Sequence, residues 1–117
     1  MSTSLTIAEA ARLTGLSAYT LRYYEQIGLI APIERRSGVR RYSPEDIRWL
    51  EFLVRLRATG MPMRDMQRYA ELLRQGPVPQ SLAERRTMLE QHAERLEADM
   101  RMQAETLEYI RRKIQLF

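Results

Sequence analysis

From Gln80 to Phe117 the chain contains neither glycine nor proline, so nothing in that stretch interrupts a helix. Ser81 is the predicted cap. Leu82, Leu89, Ala93, Leu96, Met100, Leu107, Ile110, Ile114 and Phe117 then recur at helical steps of three and four, interrupted by Arg86 and Gln103. Such a row is a coiled-coil seam. A helix of about 35 residues is about 50 Å long at 1.5 Å per residue, longer than the small domain before it can cover. It demands a partner helix, and the simplest source is a second copy of the same chain. Leu82, Leu89, Ala93, Leu96, Met100, Leu107, Ile110 and Ile114 are therefore the expected dimer interface.

The breaker Gly76-Pro77-Val78-Pro79 separates this helix from a differently patterned region. Thr6 followed by Glu9 forms a capping box for a first helix over about 7–14, which stops at Gly15. Ser17 caps a second over about 18–27. Its inward positions are Leu16, Leu21, Tyr24 and Leu29, which leaves Ala18, Tyr19, Arg22, Tyr23 and Gln26 outward. Two short helices joined through a glycine turn are the sequence form of a helix-turn-helix. From Ile30 to Tyr42 the helical period breaks, and Ser37-Gly38 predicts the turn of a two-stranded wing with Arg35, Arg36, Arg40 and Arg41 around its tip. Ser43-Pro44 restarts a helix over about 44–59, and a fourth spans about 63–75. The expected organisation is a winged helix-turn-helix over 1–76, a linker over 77–80 and a dimerisation helix over 81–117, in a mainly α fold.

Between Arg22 and Arg41 stand five arginines and two glutamates, a local charge of +3 out of +4 for the whole chain. Arginine supplies forked donors for phosphates and guanine edges, and tyrosine supplies a rigid ring with a polar tip. Ser17, Tyr19, Thr20, Arg22 and Tyr23 on the second helix, with Arg35, Arg36, Arg40, Arg41 and Tyr42 on the wing, are thus the expected contacts to double-stranded DNA.

The other chemistry-bearing residues point away from catalysis. The 117 residues hold no cysteine and one histidine, which removes disulfides, zinc-thiolate sites and thiol redox sensing. His92 has no second ligand type at a metal-binding spacing and is expected on the surface or at the dimer contact. No nucleophile–base set or phosphate loop is present, so neither an enzyme nor a cofactor is expected. No run of 18 apolar residues or signal-peptide layout occurs, which makes the cytoplasm the default compartment. The methionines are expected to fill core space rather than line a ligand site.

The runs TIAEAARLTGLSAYTLRYYEQIGLIAP, SGVRRYSPEDI and RLRATGMPMRDM together resemble the DNA-binding half of the MerR family of bacterial transcription regulators. The likeness spans about residues 5–75. It implies a winged helix-turn-helix followed by a long helix that pairs antiparallel with its dimer mate. It also implies a mechanism: such proteins bind a pseudo-palindrome inside an over-long promoter spacer and distort the DNA, acting on RNA polymerase through it. Association with the nucleoid follows from the same resemblance.

The chain departs from the family in its sensing parts. It lacks the cysteines that hold a metal near the end of the long helix in many members. It also lacks the single third-helix cysteine by which some compact members are thought to sense electrophiles, and no effector domain is expected after Phe117. The remaining expectation is an unidentified apolar or amphipathic effector lodged between the fourth helix and the long helix, near Met66, Tyr69 and Leu73, or no effector at all. An architectural DNA-bending or recombination factor similar to excisionases shares the winged motif and stands as the alternative, although such factors usually lack a long dimerising helix.

Overall fold

The computed structural model describes residues 3–117. Helix α1 (Ile7–Thr14) starts at the capping box of Thr6 and Glu9 and ends at Gly15, whose φ of 77° is left-handed. The Thr6 backbone N–H and hydroxyl both donate to the Glu9 carboxylate, at 3.1 and 3.0 Å, and hold its pKa below the usual range. Helix α2 (Ala18–Gln26) follows, with the Ser17 hydroxyl accepting the Thr20 N–H at 3.0 Å.

Strands β1 (Arg35–Arg36) and β2 (Val39–Arg40) form an antiparallel hairpin with Arg35 opposite Arg40 and Arg36 opposite Val39. Its two turn residues, Ser37 and Gly38, both have positive φ, 52° and 77°, as a tight hairpin turn matched to strand twist requires. Beyond the wing, Tyr42 forms an isolated antiparallel bridge with Leu5. Helix α3 (Pro44–Ala58) carries a second capping box, Ser43 with Asp46, and α4 (Met63–Arg74) follows it.

The core of this first unit draws on all four of its helices and on the connections between them. Ala10 from α1, Leu21 and Tyr24 from α2, Leu29, Ile33 and Tyr42 from the connections, Leu50 and Leu53 from α3, and Met66 from α4 are all buried. Trp49 packs flat against Tyr69 with ring centroids 5.8 Å apart, and Phe52 tilts against both. The Trp49 indole N–H donates to the Leu29 carbonyl at 3.1 Å, which satisfies its polar tip inside an apolar cluster.

The chain divides into two compact units, residues 1–75 and 76–117. The second is dominated by α5 (Pro79–Ile114), 36 residues long. It begins two residues before the expected Ser81 cap, because Pro79 sits at a first helical position, where its fixed φ is already helical and its missing N–H costs nothing. The 77–80 linker is thereby shortened, and Ser81 is a buried residue inside the helix. His92 is also buried rather than on the surface. Among the described residues no helix is long and apolar enough to cross a membrane.

Candidate nucleic-acid interface

Helix α2 divides cleanly between its two faces. Leu21 and Tyr24 point into the core, whereas Tyr19, Arg22, Tyr23 and Gln26, spaced by three, four and seven, share the outer face. Tyr19 is 78% exposed and Tyr23 45%, values that a packing role does not explain. Its first turn, like that of α5, carries no acidic residue, whereas those of α1, α3 and α4 do. The positive end of its dipole is left for an external anion such as phosphate. Ser17 and Thr20 at this end are joined by a hydroxyl–hydroxyl hydrogen bond of 2.9 Å in addition to the cap.

The wing arginines separate into two groups. Arg35 and Arg36 are exposed on β1, and the 3.5 Å pair that Arg36 makes with Glu34 lies in solvent, where it contributes little. Arg40 and Arg41 are turned inward. The Arg40 Nε donates to the Glu25 carboxylate of α2 at 2.8 Å, and the two side chains are only 24% and 14% exposed. The Arg41 guanidinium holds the Ser4 hydroxyl and carbonyl at 3.1 and 2.9 Å, anchoring the base of the wing to the segment that leads into α1.

Tyr42 is a correction to the expected DNA contacts. It is fully buried, and its hydroxyl has no hydrogen-bond partner, so it is a core residue whose phenol cannot reach DNA from this position. Burial raises its pKa above the ordinary tyrosine value. Among the exposed cations that the outer-face pattern of α2 does not reveal are Arg57, near the end of α3, and Arg64, in the first turn of α4. They flank Gly60, whose φ is 94°. Arg57 suits the negative end of the α3 dipole, but Arg64 opposes that of α4, and this local mismatch is the signal by which it can be found.

The expected effector residues do not line one site. Met66 and Tyr69 are buried in the core of the first unit, Tyr69 in its stack on Trp49. Leu73 alone is exposed, at the edge of a cavity of about 180 Å³ lined also by Leu29, Trp49, Ala70 and Arg74. Arg74 donates to the Gly28 carbonyl beside it. Along α5 the seam residues Leu82, Ala93, Met100, Leu107, Ile110 and Ile114 are exposed, and Leu89 and Leu96 are half-buried. Among the described residues no group of three or more His, Cys, Asp or Glu side chains could hold a metal ion.

Known proteins share this arrangement. The chain is 44% identical over 73 residues to the HTH-type transcriptional regulator AdhR of Bacillus subtilis, a match that covers 62% of this chain and 52% of AdhR. It spans about half the length of several curated relatives it matches. A probable heavy metal-dependent transcriptional regulator of Haemophilus influenzae is 33% identical over 112 residues, covering 95% of this chain and 83% of that protein. Among solved structures, HiNmlR, a MerR family regulator lacking the sensor domain and bound to promoter DNA, superposes with a TM-score of 0.87 at 32% identity, over 96% of this chain and 88% of that one. The model of the MerR HTH family regulatory proteins matches residues 5–73. On the fold, the outward face of α2 and these matches together, the chain belongs to the MerR family of helix-turn-helix regulatory proteins.

Proposed function

We propose that this chain is a sequence-specific transcription regulator that binds a pseudo-palindromic promoter site as a homodimer and distorts the DNA to control initiation, reaching RNA polymerase through the DNA. The observation that carries this reading is the exposed row Tyr19, Arg22, Tyr23 on α2, an acid-free helix start beside an arginine-bearing wing. Arg22 and Tyr23 read the groove, Ser17, Tyr19 and Thr20 hold phosphate at the start of α2, and Arg35 and Arg36 hold the backbone beside it. Arg57 and Arg64 add backbone contacts. Residues 79–114 supply the dimer seam, whose uncovered apolar side chains have a natural partner in a second α5 running antiparallel. The same seam argues against a solitary architectural DNA-bending factor, which has no use for it.

These 117 residues contain no thiol to capture a soft metal, so zinc or copper at concentrations just above that of the protein should leave DNA binding unchanged in a gel-shift. Gel-shift and footprinting on the promoter upstream of its own gene, with and without RNA polymerase, test the proposal. A two-fold protected site with altered cleavage at its centre supports it, and absence of any preferred site opposes it.

A further inference from the structure

Glu25 lies near the end of α2, off the exposed row, and its carboxylate touches two different parts of the wing. One oxygen accepts the Arg40 Nε–H at 2.8 Å, on the returning strand. The other accepts the Ile33 backbone N–H at 3.4 Å, where the chain enters the hairpin. A single side chain thus ties both the incoming and the returning segments of the wing to the groove-reading helix. A partly buried pair is weak evidence of stabilisation, because desolvation offsets much of the attraction. Its clear effect is on position. Base contacts and backbone contacts discriminate sequence only when they are held in register with one another, and Glu25 is the side chain that joins the two sets.

We propose that Glu25 is a positioning residue that determines specificity: it fixes the wing relative to α2, and it keeps the charge of Arg40 from indiscriminate contact with phosphate. This rests on the DNA-binding reading above. Without the carboxylate, Arg35 and Arg36 still meet phosphates on any duplex, whereas the register between wing and groove is lost. The released Arg40 adds a sequence-blind phosphate contact.

The test uses the full chain, Glu25→Gln and the double variant Glu25→Gln/Arg40→Gln. Each is titrated by fluorescence anisotropy against a duplex that the wild type selects from a random pool, and against a scrambled duplex of the same composition, across a range of salt. In Glu25→Gln the ratio of affinities for the two duplexes should fall by about tenfold or more, and the salt slope on the scrambled duplex should steepen by about 0.9. The double variant should regain the wild-type slope while its ratio stays low. An unchanged ratio in Glu25→Gln overturns the proposal, as does an equal loss on both duplexes with an unchanged slope, the mark of a merely structural role. If Glu25→Gln does not fold by circular dichroism, Arg40→Gln takes its place, with the ratio expected to fall and an unchanged ratio overturning the proposal. A wild-type chain that enriches no sequence refutes the DNA-binding reading itself. A discriminating wild type with an equally discriminating Glu25→Gln refutes only the role of Glu25.

Discussion

Tyr42 and Leu5 exchange both of their backbone hydrogen bonds at 2.8 Å, pinning the strand that leaves the wing to the segment that enters α1. The Tyr42 side chain meanwhile is enclosed with its hydroxyl unpartnered. Replacing it with Phe keeps the ring and the bridge and removes a buried polar atom whose desolvation costs about 1–3 kcal/mol. Tyr42→Phe should therefore unfold at the same or a higher temperature, with unchanged DNA affinity. The sign of the pH effect follows from the raised pKa: the protonated phenol is favoured in the fold, so its contribution is complete below about pH 10 and is lost as pH rises past the folded value. Alkaline melts of the two proteins should diverge in that direction. A Tyr42→Phe protein that binds DNA many-fold more weakly at full stability would return the hydroxyl to the interface.

Ser37 is the only described residue other than glycine with a positive φ, 52°. Asparagine tolerates that conformation better than serine. Ser37→Asn should stabilise the hairpin by roughly 0.5 kcal/mol, against a full left-handed penalty of about 1–2 kcal/mol, read as a small rise in melting temperature.

Arg36, exposed on β1, is proposed as a phosphate contact and not a base reader. Arg36→Ala should weaken binding to all sequences alike and reduce the salt slope by about 0.9, the share of one phosphate contact. Salt titrations on the selected and scrambled duplexes measure both quantities, and a loss confined to the selected duplex would make Arg36 a base reader.

Leu96 sits midway along α5, half-buried in the seam. If α5 pairs as proposed, Leu96→Asp puts a carboxylate into the pairing surface at a cost of several kcal/mol. Sedimentation should show a dimer for the wild type and a monomer for the variant at micromolar concentration. A variant that still sediments as a dimer removes α5 from the interface.

Helices α1 to α3 and the wing were legible in the sequence because their ends carry local chemistry. Thr6 with Glu9, Ser17, Ser43-Pro44 and the Ser37-Gly38 turn each act within four residues of themselves, and the outward set Tyr19, Arg22, Tyr23 follows from period alone. The intramolecular partners of the wing arginines were not legible, for a physical reason. A strand of two residues offers no alternation from which to read a face, so the partners of Arg40 and Arg41, fifteen and thirty-seven residues away, leave no local trace. Tyr42 was misread for the same reason, since its burial depends on the bridge to Leu5. Met66 and Tyr69 look alike in sequence whether they line a ligand site or fill a core, and only the stack of Tyr69 on Trp49 separates the two.

The central claim is that the outer face of α2 reads DNA, and Arg22 tests it most directly. A good bidentate base contact is worth about 1–3 kcal/mol, so Arg22→Ala should bind the selected duplex roughly 5- to 150-fold more weakly while its affinity for the scrambled duplex changes far less. Circular dichroism should show the fold intact, because Arg22 is exposed and takes no part in the core. Unchanged affinity of a folded Arg22→Ala protein for the selected duplex would contradict the assignment of α2 as the recognition helix.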